Sequence, residues 1–208
     1  MESEKYDPYI RCGLLVGMFV FIVLGVLALD REPDFLFDRF LSAGFFLFFF
    51  FFYKRLGLKL PILFIGAAAL VLHHLKLYGN VYLGMEFDMI MHFVGAFAVS
   101  LMVYHYLSMC EGIGCSGKVK LAILTIFIVA GLGTLIEILE YFGYAKLPSG
   151  EGLLHYGLGD EGDWADAVSD MLFNLFGAIT GIIAMILTHY VKRRNVKNLK
   201  LFLSSLFI

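Results

Sequence analysis

Apolar and polar positions along this chain fall into long blocks, with apolar runs of about 18 to 25 residues separated by short polar stretches. Each run is long enough for an α-helix to cross a hydrocarbon core of about 30 Å. The pattern predicts an all-α polytopic membrane protein, a bundle of about six transmembrane helices in one domain spanning residues 1–208. The helices are expected at about 10–29, 35–53, 60–78, 87–108, 119–142 and 165–190. The remainder, 191–208, is basic and then apolar, and is expected to lie along the membrane interface. The run Phe45 to Phe52, broken only by Leu47, reads as a lipid-facing helix.

Composition agrees with the pattern. Of 208 residues 60% are hydrophobic and 16% charged, and a mean hydropathy of +0.83 excludes an ordinary soluble domain. The acidic start MESEKYDPYIR leads into an apolar run without a small-residue cleavage site, so a retained first helix is expected. Cys12, Cys110 and Cys115 read as free thiols. The partners expected are membrane lipids and a lipid-linked substrate, with no nucleic acid; oligomeric state is not legible.

Charge adds an orientation. Over six spans, only Arg31, Arg39, Lys76 and Lys146 of the 16 basic residues fall on the face opposite the termini. The positive-inside rule then puts both termini in the cytoplasm, and the expected location is the plasma (inner) membrane. The acids sort the other way. Only Glu2, Glu4, Asp7 and Glu111 of 18 lie on the cytoplasmic side, which gives the outer face a field that attracts cations.

The informative residues are polar groups inside apolar helices. Asp163, Asp166, Asp170 and Asn174 follow one another at steps of three, four and four, and so share a narrow arc of the last helix. Asp88 and His92 are four apart in span four, and Glu137 and Glu140 three apart in span five. In a six-span topology all three sets reach one depth near the outer boundary. Gly177 with Gly181, and Gly131 with Gly133, are expected to let the helix backbones approach closely.

Carboxylates this close cannot all stay charged without protons or cations. A divalent metal (Mg, Mn or Zn) resolves the repulsion, with Asp88, His92, Glu137, Glu140, Asp166, Asp170 and Asn174 as candidate ligands. His92, Glu137 and Asp170 are the candidate catalytic groups. Two blander readings stay open, a polar network gluing three helices and acids solvated at headgroup level. Asp163 is better read as a helix N-cap.

Other polar residues suggest less. His73 or His74 offers one further ligand, although a core or interface histidine is the simpler reading. Asp38 with Arg39 reads as an interfacial pair; His105, His155 and His189 receive no chemistry, and Trp164 and Tyr141 fit an aromatic belt. The Gly-rich connection at about 143–164, with Asp160 and Glu161, suggests a cover over the site.

The elements DMIMHFVGAF (Asp88 to Phe97), EILE (Glu137 to Glu140) and DAVSDMLFNLFGA (Asp166 to Ala178) resemble the spaced motifs of the VanZ-like membrane proteins, most closely their YjdF-like branch. The resemblance covers roughly residues 85 to 185. It implies a small multi-pass protein of the cell envelope, some relatives being associated with resistance to glycopeptide antibiotics. Where the VanZ branch proper often has Gln, this chain has Glu140, and it lacks an Arg before the last motif. Three functions follow as expectations: a metal-dependent hydrolase or transferase acting on a lipid or lipid-linked phosphate headgroup, a proton- or cation-coupled transporter, or a structural membrane protein.

Overall fold

Six helices and one small hairpin make up the described residues: α1 (Glu2–Ala28), α2 (Leu36–Phe52), α3 (Leu60–His73), β1 (Val81–Tyr82), β2 (Met85–Glu86), α4 (Phe87–Met109), α5 (Lys118–Lys146) and α6 (Asp163–Ser205). This computed structural model describes residues 2–29, 36–75, 77–110, 117–146 and 163–205, with side chains for 7–29, 36–75, 77–110, 117–142 and 165–191. Four helices are long and apolar enough to cross a membrane, over Asp7–Ala28, Phe87–Met109, Lys118–Phe142 and Ala165–Val191. Helices α2 and α3, of 17 and 14 residues, fall short of the roughly 20 that a perpendicular crossing takes.

Helices α1 and α2 run antiparallel. At one end Lys54 Nζ lies 2.8 Å from Asp7 Oδ1, Arg11 pairs with the same carboxylate, and the buried Tyr53 hydroxyl donates to it. At the other end Arg39 donates to the Leu24 carbonyl at 3.1 Å. Gly17 completes the α1–α2 seam, because its missing side chain leaves room for the Phe46 ring. Phe46 is therefore buried, whereas Phe48, Phe51 and Phe52 face outward, so the Phe run is lipid-facing along only part of its surface.

Turn chemistry ends α2. Gly57 takes a positive φ of 63°, its N–H reaches the Lys54 carbonyl at 3.0 Å, and the Leu58 N–H reaches Tyr53 at 2.8 Å. This is the Schellman arrangement that glycine favours after a helix. Lys59 then occupies the N-cap position of α3 without a side-chain capping bond, with proline in the first turn. On the far side His105 Nε2 donates to the Gly57 carbonyl at 2.8 Å and fixes the lower end of α4 to the same turn.

Helix α3 stops at His73, five residues short of the expected boundary. The His74 N–H bonds back to Leu70 and Val71, and the chain turns away. Val81 pairs with Glu86 and Tyr82 with Met85, leaving Leu83 and Gly84 as a two-residue loop with φ of 55° and 80°. Positive φ at both positions suits the right-handed twist of a hairpin. The hairpin falls in a stretch read from sequence only as a connection.

Helix α4 is the hub, packing on α3, α5 and α6. Gly177 and Gly181 make the α4–α6 approach possible: a β-carbon at Gly177 would stand 2.2 Å from the Phe93 carbonyl oxygen, and one at Gly181 2.9 Å from that of Phe97. Gly133 faces Asn174 across the α5–α6 seam, while Gly131 faces open space and has no such role. Helix α6 continues unbroken through the basic segment to Ser205.

Candidate functional site

Each polar side chain of the site is delivered by its helix register. Asp88 and His92 are one turn apart on α4 and both 7% exposed. Glu137 and Glu140 project from the last part of α5, and Asp170 and Asn174 from the early turns of α6. The α4–α6 glycine contact below them draws the three helices together, so groups distant in sequence converge on one imidazole.

His92 is that centre. Its Nε2 lies 3.7 Å from Asp88 Oδ1 and 3.7 Å from Asp170 Oδ2; its Nδ1 lies 3.6 Å from Glu137 Oε1 and 3.2 Å from Asn174 Nδ2. Two sets of potential ligand atoms result, Asp88 with His92 and Asp170, and His92 with Glu137 and Glu140, each within 4.8 Å of one another. Two ligands about 2.1 Å from one ion, at tetrahedral or wider angles, lie roughly 3.4 to 4.2 Å apart. The His92 to carboxylate spacings match that separation and exceed a normal hydrogen bond.

Two further atoms point the same way. Asp170 Oδ1 and Glu137 Oε1 are buried and make no hydrogen bond. Asp170 is 1% exposed, and a buried carboxylate left without donors is costly unless a cation or a proton meets it.

The amide of Asn174 has a different part. With its NH₂ toward His92 it donates to Nδ1 and leaves the proton on Nε2, facing the two aspartates. Turned over, its oxygen accepts from Nδ1–H and frees Nε2 as a ligand atom, the arrangement by which a neighbouring group commonly orients a metal-binding histidine. Asn174 thus sits behind the imidazole.

Asp166 is half-buried and lies outside both ligand sets, although its charge acts on Asp88, Glu137 and Asp170. The side chains of Asp163 and Trp164, the residues His155, Asp160 and Glu161, and the suggested cover lie outside the described residues, as does Cys115. Cys12 and Cys110 are free thiols, and Tyr141 is exposed.

Across from His92 the structure places a second polar cluster. Asp38, 1% exposed, is within 3.2 Å of His73 Nε2 through its Oδ2; His73 Nδ1 is hydrogen-bonded to the Tyr78 hydroxyl, and Ser42 Oγ and His74 Nε2 are 2.9 Å apart. The interfacial reading of Asp38 with Arg39 is therefore corrected. Asp38 turns inward to α3, and Arg39 turns outward to the α1 backbone.

Tyr78 lies in the turn after α3. Burial first, and then the charges of Asp88, Asp38, Glu140 and Asp170, push its phenol well above the usual range, so it remains a donor to His73. Its ring stands edge-on to Phe87 at 5.2 Å.

Between the two clusters lies a chamber of about 250 Å³. Asp38, His73, Tyr78, Asp88, His92 and Glu140 crown one end, and the remaining wall is predominantly apolar.

The arrangement of membrane helices agrees with comparison to known families. The family model described as "Predicted membrane protein (DUF2238)" matches residues 9–193. The chain belongs to this family. The match takes in α4, α5 and the site-bearing half of α6, so every polar group that converges on His92 lies within it. No curated protein and no solved structure matches the chain.

Proposed function

We propose that this protein is a metal-dependent membrane enzyme, a hydrolase or transferase acting on a lipid or lipid-linked phosphate headgroup. One observation carries the reading: Glu137 Oε1, buried without a hydrogen-bond partner, and Asp170 Oδ2, whose companion oxygen Oδ1 is likewise buried and unpartnered, face one imidazole at ligand-to-ligand spacing. Asp88 and Asp170 would hold the ion with His92 Nε2, while Glu137 stands at the Nδ1 edge of the same ring and forms with Glu140 the second set. A divalent ion bound there supplies charge neutralisation for phosphate oxygens and lowers the pKa of a bound water.

The chain's own residues do the rest. Asn174 would fix the His92 ring, and Glu137, 3.6 Å from Nδ1, would exchange a proton on that side through one water. The site is one-sided: the deep wall of the chamber is made by groups such as Phe49, Gly66, Met102 and Val129, which favours chemistry at one membrane face over a solute path.

The finer placement belongs to the same proposal. All six helices cross the plasma membrane, α2 and α3 as short spans, with both termini cytoplasmic and the site in the outer half. The motifs around Asp88, Glu137 and Asp166 favour a VanZ-like, YjdF-like membership within the cell envelope. The basic end of α6 meets anionic headgroups of the inner leaflet.

Metal analysis tests the centre. Protein purified without chelator is expected to carry about one divalent ion per chain, and a Glu137→Gln, Asp170→Asn variant none. No ion in either, and no binding of added Mn²⁺, Mg²⁺ or Zn²⁺, overturns the metal reading in favour of a protonated polar network.

A further inference from the structure

The chamber is elongated, and its chemistry is graded along its length. On α4 the lining runs from Asp88 to Met102, and on α5 from Glu140 back to Val129, which at 1.5 Å per residue is about 16 to 21 Å. On α2 it runs from Asp38 to Phe49, and on α3 from His73 back to Gly66. All four helices change from polar to apolar in the same direction. With a volume of about 250 Å³ over such a length, the chamber is long and narrow.

The opening is at the side. Phe45, Leu132 and Ile136 line the chamber and are also 43%, 43% and 37% exposed. Helix α5 packs on α4 and α6, and α2 packs on α1, so the α2 and α5 walls face one another across a gap. Both rims are apolar side chains in the middle of their helices, level with bilayer hydrocarbon in a membrane-spanning bundle. A ligand passing this gap comes from lipid.

The wall is also shaped to remain open. Gly95 lines the chamber, and a β-carbon built on it would meet nothing within 4 Å. A larger residue there would fill space that the fold leaves empty, with no neighbour to displace.

From these observations we infer that the chamber holds the hydrocarbon chain of a single-chain amphiphile, drawn sideways from the bilayer, with its phosphate head at the crown of Asp38, His73, Asp88, His92 and Glu140. The phosphate part rests on the metal-centre reading above; the chain part rests on the chamber alone. A long, narrow, apolar chamber suits one extended chain, so a lysophospholipid or an isoprenoid phosphate is the expected occupant and a two-chain phospholipid is the competitor that tests it. The acidic crown meets the phosphate through the metal, and the Tyr78–His73–Asp38 chain borders it on the other side.

The test uses full-length protein in nanodiscs and a hexadecyl phosphate carrying a mid-chain diazirine. Photolysis is expected to label peptides of α2, α4 and α5 that line the chamber. A single-acyl lysophosphatidate or a polyprenyl phosphate should compete at least fivefold better than two-chain phosphatidate, and which of the two competes better identifies the source. Gly95→Leu should lower labelling at least fivefold while thermal stability and Mn²⁺ affinity stay unchanged. Leu132→Trp, at the exposed rim, is a second block if Gly95→Leu fails to fold.

Labelling confined to outward-facing residues, or unchanged in both variants, overturns the inference, as does equal competition by two-chain lipid. Chamber labelling in a protein that binds no metal would sink the metal centre and leave the chain site standing.

Discussion

Gly177 sits so close to α4 that a β-carbon on it would come within 2.2 Å of the Phe93 carbonyl oxygen. Backbone cannot swing aside as a side chain does, so Gly177→Ala must push α6 away from α4. Overpacking of this kind costs about 1 to 3 kcal/mol, and the same shift separates Asp170 from His92. Unfolding in mild detergent should show the loss of stability, accompanied by weaker Mn²⁺ binding. Wild-type stability in Gly177→Ala would mean that the helices do not pack this closely.

Asp170→Asn separates a binding role from a structural one. The carboxylate is buried, one oxygen makes no hydrogen bond, and other acids surround it. Removing its charge should leave metal-free protein as stable as wild type or more so. Wild type should gain about 2.7 kcal/mol from metal at one hundred times its dissociation constant, and the variant should gain nothing. Thermal melts with chelator and with Mn²⁺ read both arms; a variant destabilised in chelator assigns Asp170 to helix packing.

Asn174 acts through His92. Asn174→Ala should weaken metal binding by about 10- to 100-fold, as loss of an orienting neighbour typically does, while Asp170→Asn abolishes it. Calorimetric titration distinguishes the two. Complete loss in Asn174→Ala would promote the amide to a ligand.

Asp38 and His73 join α2 to α3 inside the protein. Truncating either to Ala should cost about 1 to 3 kcal/mol, because the other is left buried without that partner. The double variant should cost less than the sum of the two, by about 1 kcal/mol or more. Additive losses would show that the pair is not energetically coupled.

Leu83, at the hairpin tip, is 98% exposed and lies at the end of the bundle that carries the site. With Cys12, Cys110 and Cys115 replaced by serine, Leu83→Cys should react with an impermeant maleimide added to intact cells. Labelling only after permeabilisation would reverse the orientation.

The converging groups were legible because each is expensive where it stands. An Asp or Glu inside an apolar helix demands an explanation, and spacings of three and four give its face without coordinates. Gly177 and Gly181 were readable for the same reason, as small residues one turn apart beneath the acidic stripe. Asp38 was not: it stands beside an arginine at the start of a helix, where solvated pairs are ordinary, and its partner His73 is 35 residues away. Nor was the end of α3 legible, since Leu75, Leu77 and Tyr78 continue the apolar pattern past the last helical turn. The chamber had no sequence signal of its own, being space left between five elements.

Helix α6 has 43 residues, and at 1.5 Å per residue an unbroken helix of that length is about 65 Å long, more than twice the thickness of a hydrocarbon core. Asp170 and Asn174 ride near one end of this rod, and Lys192, Arg193, Arg194, Lys197 and Lys200 near the other. A stiff rod pivoting where Gly177 and Gly181 touch α4 has a single tilt, shared by both ends. Any change of tilt about that contact would therefore be felt at both ends, because one continuous helix joins the residues at the site to the basic segment.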